Sequence, residues 1–129
     1  MGNIYSAQNI AAYFIYYLNE QNVFINSVGL QHLLAEVDVK WRNHYGHSAF
    51  KENVTSFAAN KYVVKEVYDA YEEFEESHLK IPAKEWHLEY GKFQLVYRTY
   101  GVPALTADEQ LLINNIAKKY REAILKKVS

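Results

Sequence analysis

Three histidines and a glutamate are the residues whose types suggest metal chemistry. His44 and His47 stand three positions apart, with His32 upstream and Glu52 downstream. Imidazole and carboxylate groups are standard zinc ligands, so these side chains could supply a metal site. However, Gly46 is expected to end a helix between the histidine pair, and no HExxH motif or regularly spaced third ligand is present. We therefore expect no bound metal or other cofactor, and place the histidines at the surface or the core edge.

A run of acidic residues is the second candidate for chemistry. A carboxylate pair can act as general acid and base only where burial or close opposition shifts its pKa. These carboxylates mostly point away from the apolar face of their predicted helix, which favours a solvated surface. Such a surface could also dock a basic partner through complementary charge. The residues are Glu66, Asp69, Glu72, Glu73, Glu75 and Glu76.

Motifs for nucleophilic or phosphate chemistry are missing. The chain has no cysteine and only five glycines, and it carries no GxSxG, P-loop or GxGxxG pattern. A net charge of -1 also lacks the basic excess of proteins that bind nucleic acid through phosphate contacts. The helix dipole, which favours cations near a helix C-terminus, accounts for the one basic cluster. That cluster is Lys118, Lys119, Arg121, Lys126 and Lys127.

Length and composition bound the class of protein. The 129 residues predict a single domain over 1–129 that can bury a core without disulfide bonds. The longest nearly apolar run, Ile10 to Leu18, is far shorter than the roughly 20 residues that cross a bilayer. The absence of cysteine is compatible with a reducing cytosol, so we expect a cytoplasmic protein without membrane contact.

Apolar periodicity predicts four principal helices, hence a mainly α (α+β) fold. The most regular pattern ends at Tyr45 and predicts a central helix capped by Ser27 and closed by a left-handed Gly46. Its buried face is expected to carry Leu30, Leu33, Leu34, Val37, Trp41 and Tyr45.

The other three helices have recognisable starts. The first is capped by Ser6, and the third is expected at about residues 60–76 after an irregular link with one short extended piece. Thr106 and Glu109 form a capping box that begins the terminal helix.

Residues 85–98 fit two different periods. Read as strands, they form a hairpin around Gly91-Lys92, with same-face pairs that include Trp86–Tyr97 and Leu88–Leu95. Read as a helix, they place their aromatic residues on one stripe, but Gly91 would cost about 1 kcal/mol relative to alanine. The richness in aromatic and β-branched residues favours a small β-hairpin.

Several short segments, in a fixed order, resemble the SocA-like antitoxin domain, also called Panacea and found in phage-associated proteins. The matching segments are Tyr5-Ser6-Ala7 with Ile10-Ala11, Leu30-Gln31-His32-Leu33-Leu34, Tyr45-Gly46 with Phe50, Ser56-Phe57, Val63-Val64-Lys65-Glu66-Val67-Tyr68, and Thr106 to Ile113. The chain departs from the family at His32, at Ala35 and near Lys61-Tyr62, where the family has lysine, tyrosine and glycine-proline. It also lacks the family's C-terminal histidine-and-tryptophan segment. The resemblance is to a divergent member, shortened at its C-terminus.

The resemblance implies a non-enzymatic protein that neutralises a toxin, usually encoded beside it, by direct binding. Two alternatives stay open: a phage-encoded modulator that binds a host protein, and a nucleic-acid-binding regulator that uses the basic terminal helix. Self-association is also left open. The acidic surface and the hairpin aromatics are the expected partner contacts, although the aromatics would serve equally as core. The contact residues are Glu66, Asp69, Glu72, Glu73, Glu76, Trp86, Tyr90, Phe93 and Tyr97.

Overall fold

The computed structural model describes residues 2–56, 62–74, 77–89 and 94–128. Within these ranges the chain is mainly helical, as predicted, with four α-helices. They are α1 (Ala7–Glu20), α2 (Ser27–Tyr45), α3 (Lys65–Tyr71) and α4 (Ala107–Val128), and a 3-10 turn, Glu72–Phe74, follows α3. None of the described helices is both long enough and apolar enough to cross a bilayer.

The start of α1 is capped from two directions. As predicted, Ser6 is the N-cap, and its hydroxyl accepts a hydrogen bond from the amide of Gln8 at 3.3 Å. Glu52, from the link after α2, accepts bonds from the Ser6 hydroxyl and the Ala7 amide, both at 2.9 Å. The carboxylate therefore satisfies one free helix N–H group, that of Ala7, at the positive end of the helix dipole.

The central helix α2 ends as predicted but begins with a different cap. Gly46 adopts a left-handed conformation with φ of 84°, and its amide bonds to the carbonyl of Arg42. The predicted cap at Ser27 is wrong, because Asn26 has the extended backbone of a cap and its side chain accepts from the Gly29 amide at 2.8 Å. Ser27 is the first helical residue and is buried.

The third helix is shorter than the predicted 60–76. Residues 62–64 are not helical, since the amides of Val63 and Val64 bond to the buried side chain of Gln31 at 2.7 and 3.2 Å. This contact holds Val64 in an extended conformation, so the helix begins at Lys65. Residues 57–61 and 75–76 lie outside the described parts of the chain.

Two strands follow the helical turn. β1 (Lys84–Glu89) and β2 (Gln94–Thr99) pair antiparallel, with Trp86 opposite Tyr97 and Leu88 opposite Leu95. The expected turn at Gly91-Lys92 lies outside the described residues. Ahead of the strands, the link after α2 contains one short extended piece, where Tyr5 forms a parallel bridge with Phe50.

The core lies where α1 and α2 cross the other helices. Each of these two helices packs against the remaining three. Close approach matters at Gly29, because a Cβ there would overlap the hydroxyl of Tyr120 on α4. Helix α2 buries five of the six residues predicted for its apolar face, and Tyr45 is half-buried. The largest fully buried side chains include Trp41, Tyr71, Phe14, Ile10, Leu30, Leu34 and Ile113.

Candidate functional site

Four of the predicted contact residues form an exposed acidic surface, here called the acidic strip: Glu66, Asp69, Glu72 and Glu73. The first two lie on α3 and the last two on the 3-10 turn that follows it. Asp69 bonds to the ammonium of Lys65, one turn earlier, at 3.1 Å. This hydrogen bond and the charge of Asp69 raise the pKa of Lys65. Glu76, the remaining predicted acidic contact, lies outside the described residues.

The strip is oriented by buried side chains behind it. Val67 and Tyr71 on α3 are buried, so the carboxylates of the same turns face solvent. The hydroxyl of Tyr71 accepts a hydrogen bond from the amide of Ala83 at 2.7 Å, and burial raises the pKa of Tyr71 to about 12. Gln8 on α1 donates to the carbonyl of Glu66 at 3.0 Å. The packing and polar contacts thus fix the strip on the body of the protein.

The predicted aromatic contacts are only partly placed. The backbones of Trp86 and Tyr97 lie opposite each other in the strand pair. Their side chains fall outside the described residues, as do Tyr90 and Phe93 altogether. The structure therefore assigns these aromatics neither to the core nor to the surface.

His44, His47 and Glu52 have separate partners. His44 contacts Asp108 at 3.2 Å, His47 contacts the carbonyl of Ser48 at 2.8 Å, and Glu52 caps α1. In the described part of the chain, no group of three or more His, Asp or Glu side chains is arranged to hold a metal ion. The His44–Asp108 contact contributes little to stability, because both side chains are exposed to water.

The buried carboxylate of Glu109, near the start of α4, makes contacts beyond those that its capping-box motif predicts. The predicted capping box is confirmed: Glu109 accepts from the Thr106 amide at 2.9 Å, and the Thr106 hydroxyl accepts from the Glu109 amide at 3.2 Å. Glu109 also accepts from the Tyr5 hydroxyl at 2.6 Å and the Asn3 amide at 2.7 Å. Only the fold brings these residues together, 104 and 106 positions apart in the chain.

The chemistry of Glu109 follows from its donors. Burial would raise the pKa of its carboxyl, but the hydrogen bonds from Thr106, Tyr5 and Asn3 outweigh burial and lower that pKa to about 2. The group is therefore ionised at neutral pH, far from the poised value that a general acid or base needs. Glu109 is a structural anchor.

A groove runs along the seam between α2 and α4, and sequence analysis gave no sign of it. Two cavities of about 640 and 430 Å³ share Lys40, Ile116 and Lys119 in their lining and so lie next to each other in the space along this seam. We call this space the basic groove. Its other lining residues are His32, Leu33, Glu36, Asn43, His44, Leu112, Asn115, Lys118, Tyr120 and Glu122.

The basic groove changes the interpretation of the basic cluster. Helix α4 continues to Val128, so Lys118 and Lys119 lie well before its last turn. Because the effect of the helix dipole fades within the last turn, it does not explain these two lysines. They are exposed side chains on the wall of the groove instead.

Comparison with protein-family models, with curated proteins and with solved structures finds no match for this chain. The likeness to the SocA-like domain therefore depends on the ordered sequence segments alone.

Proposed function

We propose that this chain is a non-enzymatic, protein-binding domain of the SocA-like type, which neutralises a toxin by direct contact through its acidic strip. The observation that carries the proposal is the exposure of four carboxylates on a short helix and on the 3-10 turn that follows it, with the helix fixed from behind. The ordered resemblance of several segments to antitoxin domains supplies the kind of partner. The lowered pKa of the buried Glu109 carboxyl agrees with a structural rather than a catalytic role for that residue.

The charge of the strip supports a basic partner. No hydrogen bond or ion pair within the described ranges engages the carboxylates of Glu66, Glu72 or Glu73. Neighbouring carboxylates repel one another, and a cationic surface placed against them relieves this repulsion and speeds association. Phe74, beside the strip, is 42% exposed and offers an apolar anchor at the edge of the contact.

The proposal includes a small hairpin as a second contact element. The sequence predicts its turn at Gly91-Lys92, and the proposal assigns the side chains of Trp86, Tyr90, Phe93 and Tyr97 to the binding surface. Aromatic residues are enriched among the anchors of protein interfaces, which makes this segment a suitable partner for the strip.

The test begins with capture of partners from the native host, using the tagged full-length protein and mass spectrometry. Recovery of the product of a small neighbouring gene, in near-equal amount, supports the toxin proposal. Recovery of a host enzyme favours the modulator alternative, and the absence of any stoichiometric partner counts against a protein-binding role.

The strip is then tested on the captured partner by charge reversal. We expect Glu72→Lys/Glu73→Lys to weaken binding at least roughly ten-fold, which is about 1.4 kcal/mol. The single reversal Glu73→Lys also tests the strip. Its matched control is Glu20→Lys, a single reversal at an exposed position of α1. Glu20→Lys should stay within about two-fold of the unmodified protein. Unchanged affinity in the strip variants removes the strip from the interface.

A further inference from the structure

We propose that the basic groove is a docking site for an acidic, amphipathic segment of a protein partner. This surface is distinct from the acidic strip, carries the opposite charge, and does not depend on the function proposed above. Three features of the groove support the proposal: its shape, its exposed lysines and its apolar floor.

The shape of the groove suits a segment of polypeptide. From His32 to His44 it follows α2 for about 18 Å, at a rise of 1.5 Å per residue. That length matches roughly three turns of a docked helix. Its walls are two packed helices, which approach closely where Gly29 of α2 meets Tyr120 of α4. Because the groove is already formed, the free-energy cost of ordering its residues on ligand binding is small.

The charge of the groove is concentrated where the two cavities meet. Lys40 and Lys119 line both cavities, and Lys118 lies beside them. All three side chains are exposed, and no hydrogen bond or ion pair from another described residue engages their ammonium groups. The lysines of the groove can therefore pair with carboxylates of a ligand without first breaking a contact with the described part of the chain.

The acidic groups of the groove lie away from its centre. Glu36 and Glu122 each line only one of the two cavities. Asp108 engages His44, which lines one cavity, from the start of α4. These carboxylates disfavour phosphate groups over the length of the groove, and a duplex nucleic acid would need more cations than three.

The floor of the groove is apolar and selects the kind of acidic ligand. Leu33 and Ile116 are buried at its base, while Leu112 and Tyr120 are half-buried along it. A segment that fits must present apolar side chains inward and carboxylates toward the lysines. An amphipathic helix bound in a groove has this pattern, and its apolar anchor residues are spaced three and four positions apart.

The experiment measures fluorescence anisotropy with the full-length protein and a labelled helical peptide of about 15 residues. The peptide is built from glutamate and leucine, with the leucines spaced three and four apart, and a matched peptide carries lysine in place of glutamate. We expect the acidic peptide to bind and the basic one to bind far more weakly. Lys40→Glu/Lys119→Glu should weaken the acidic peptide at least ten-fold, whereas Lys51→Glu/Lys80→Glu, at exposed positions outside the groove, should change its affinity less than two-fold.

Four results would overturn the proposal. They are no binding of the acidic peptide at low salt, equal binding of both peptides, acidic-peptide affinity that is unaffected by Lys40→Glu/Lys119→Glu, and binding of duplex DNA in place of the peptide. Circular dichroism and urea unfolding verify that each variant is folded. The strip variant Glu72→Lys/Glu73→Lys should leave binding of the acidic peptide intact, so failure at the groove and failure at the strip can be told apart.

Discussion

The hydroxyl of Tyr5 donates a 2.6 Å hydrogen bond to the carboxylate of Glu109 and so ties the segment ahead of α1 to the first turn of α4. The ring of the same tyrosine packs edge-on against buried Trp41 of α2, with centroids 6.2 Å apart. Glu109 is only 1% exposed. The buried charge links the segment ahead of α1 to α4, and the Tyr5 ring extends the contact to α2. Removal of the charge leaves its donors without an acceptor.

Replacing Glu109 by glutamine tests this anchor. Asn3, Tyr5 and Thr106 all donate to the carboxylate. In Glu109→Gln, the side-chain NH2 group replaces one acceptor oxygen and therefore faces a hydrogen-bond donor. Loss of a charged acceptor from such a cluster should lower the free energy of unfolding by about 2–3 kcal/mol. Urea unfolding measures the change, with Glu122→Gln at an exposed position of α4 as the control. A loss below about 0.5 kcal/mol would contradict the anchoring role.

The same carboxylate predicts how stability depends on pH. Its pKa is lowered from 4.5 to about 2 in the folded protein by hydrogen bonds that outweigh the effect of burial. A lowered folded-state pKa gives stability that is present above the unfolded-state value and lost as the pH falls toward the folded one. We therefore expect the contribution of Glu109 to disappear between about pH 4.5 and pH 2.

Urea midpoints measured across that pH range verify the dependence. The loss of stability on acidification should be smaller in Glu109→Gln, which has no carboxyl to protonate at this site. If both proteins lose stability in parallel, other carboxyl groups control the acid transition. Thermal unfolding at matched pH values gives an independent reading.

Gln31 predicts a local effect next to the acidic strip. Its side chain is 1% exposed, accepts from the amides of Val63 and Val64, and donates to the Val64 carbonyl at 3.3 Å. Gln31→Leu leaves the amides of Val63 and Val64 without this acceptor, at about 1–3 kcal/mol for each unsatisfied group. The Val64 carbonyl still accepts a hydrogen bond from the Tyr68 amide. Urea unfolding should show the loss, and the Val63 and Val64 amides should exchange hydrogen faster.

Gln110→Leu is the matched control for Gln31→Leu, because Gln110 is exposed on α4. It should leave both stability and exchange near the unmodified values. If Gln31→Leu speeds exchange over the whole chain equally, the side chain stabilises the fold generally and not the start of α3 in particular.

Local signals that depend on near neighbours were readable in the sequence. Gly46 closes α2 because glycine adopts a left-handed conformation without a Cβ clash. Ser6 caps α1, and the spacing of Thr106 and Glu109 gives the capping box. The Ser27 cap failed because Asn26, one residue earlier, is an equally good cap and has the extended backbone that the position requires.

Contacts between distant residues needed the tertiary structure. The sequence alone determined a mainly helical chain, the residues that line α2, and an acidic outer face near residue 70, since these depend on periodicity and composition. Only the fold decided that Gln31 delays the start of α3, that Glu109 receives Tyr5 and Asn3, and that Lys40 meets Lys118 and Lys119 along one groove. Side chains far apart in the chain become neighbours only once helix packing brings them together, and no local pattern records that packing.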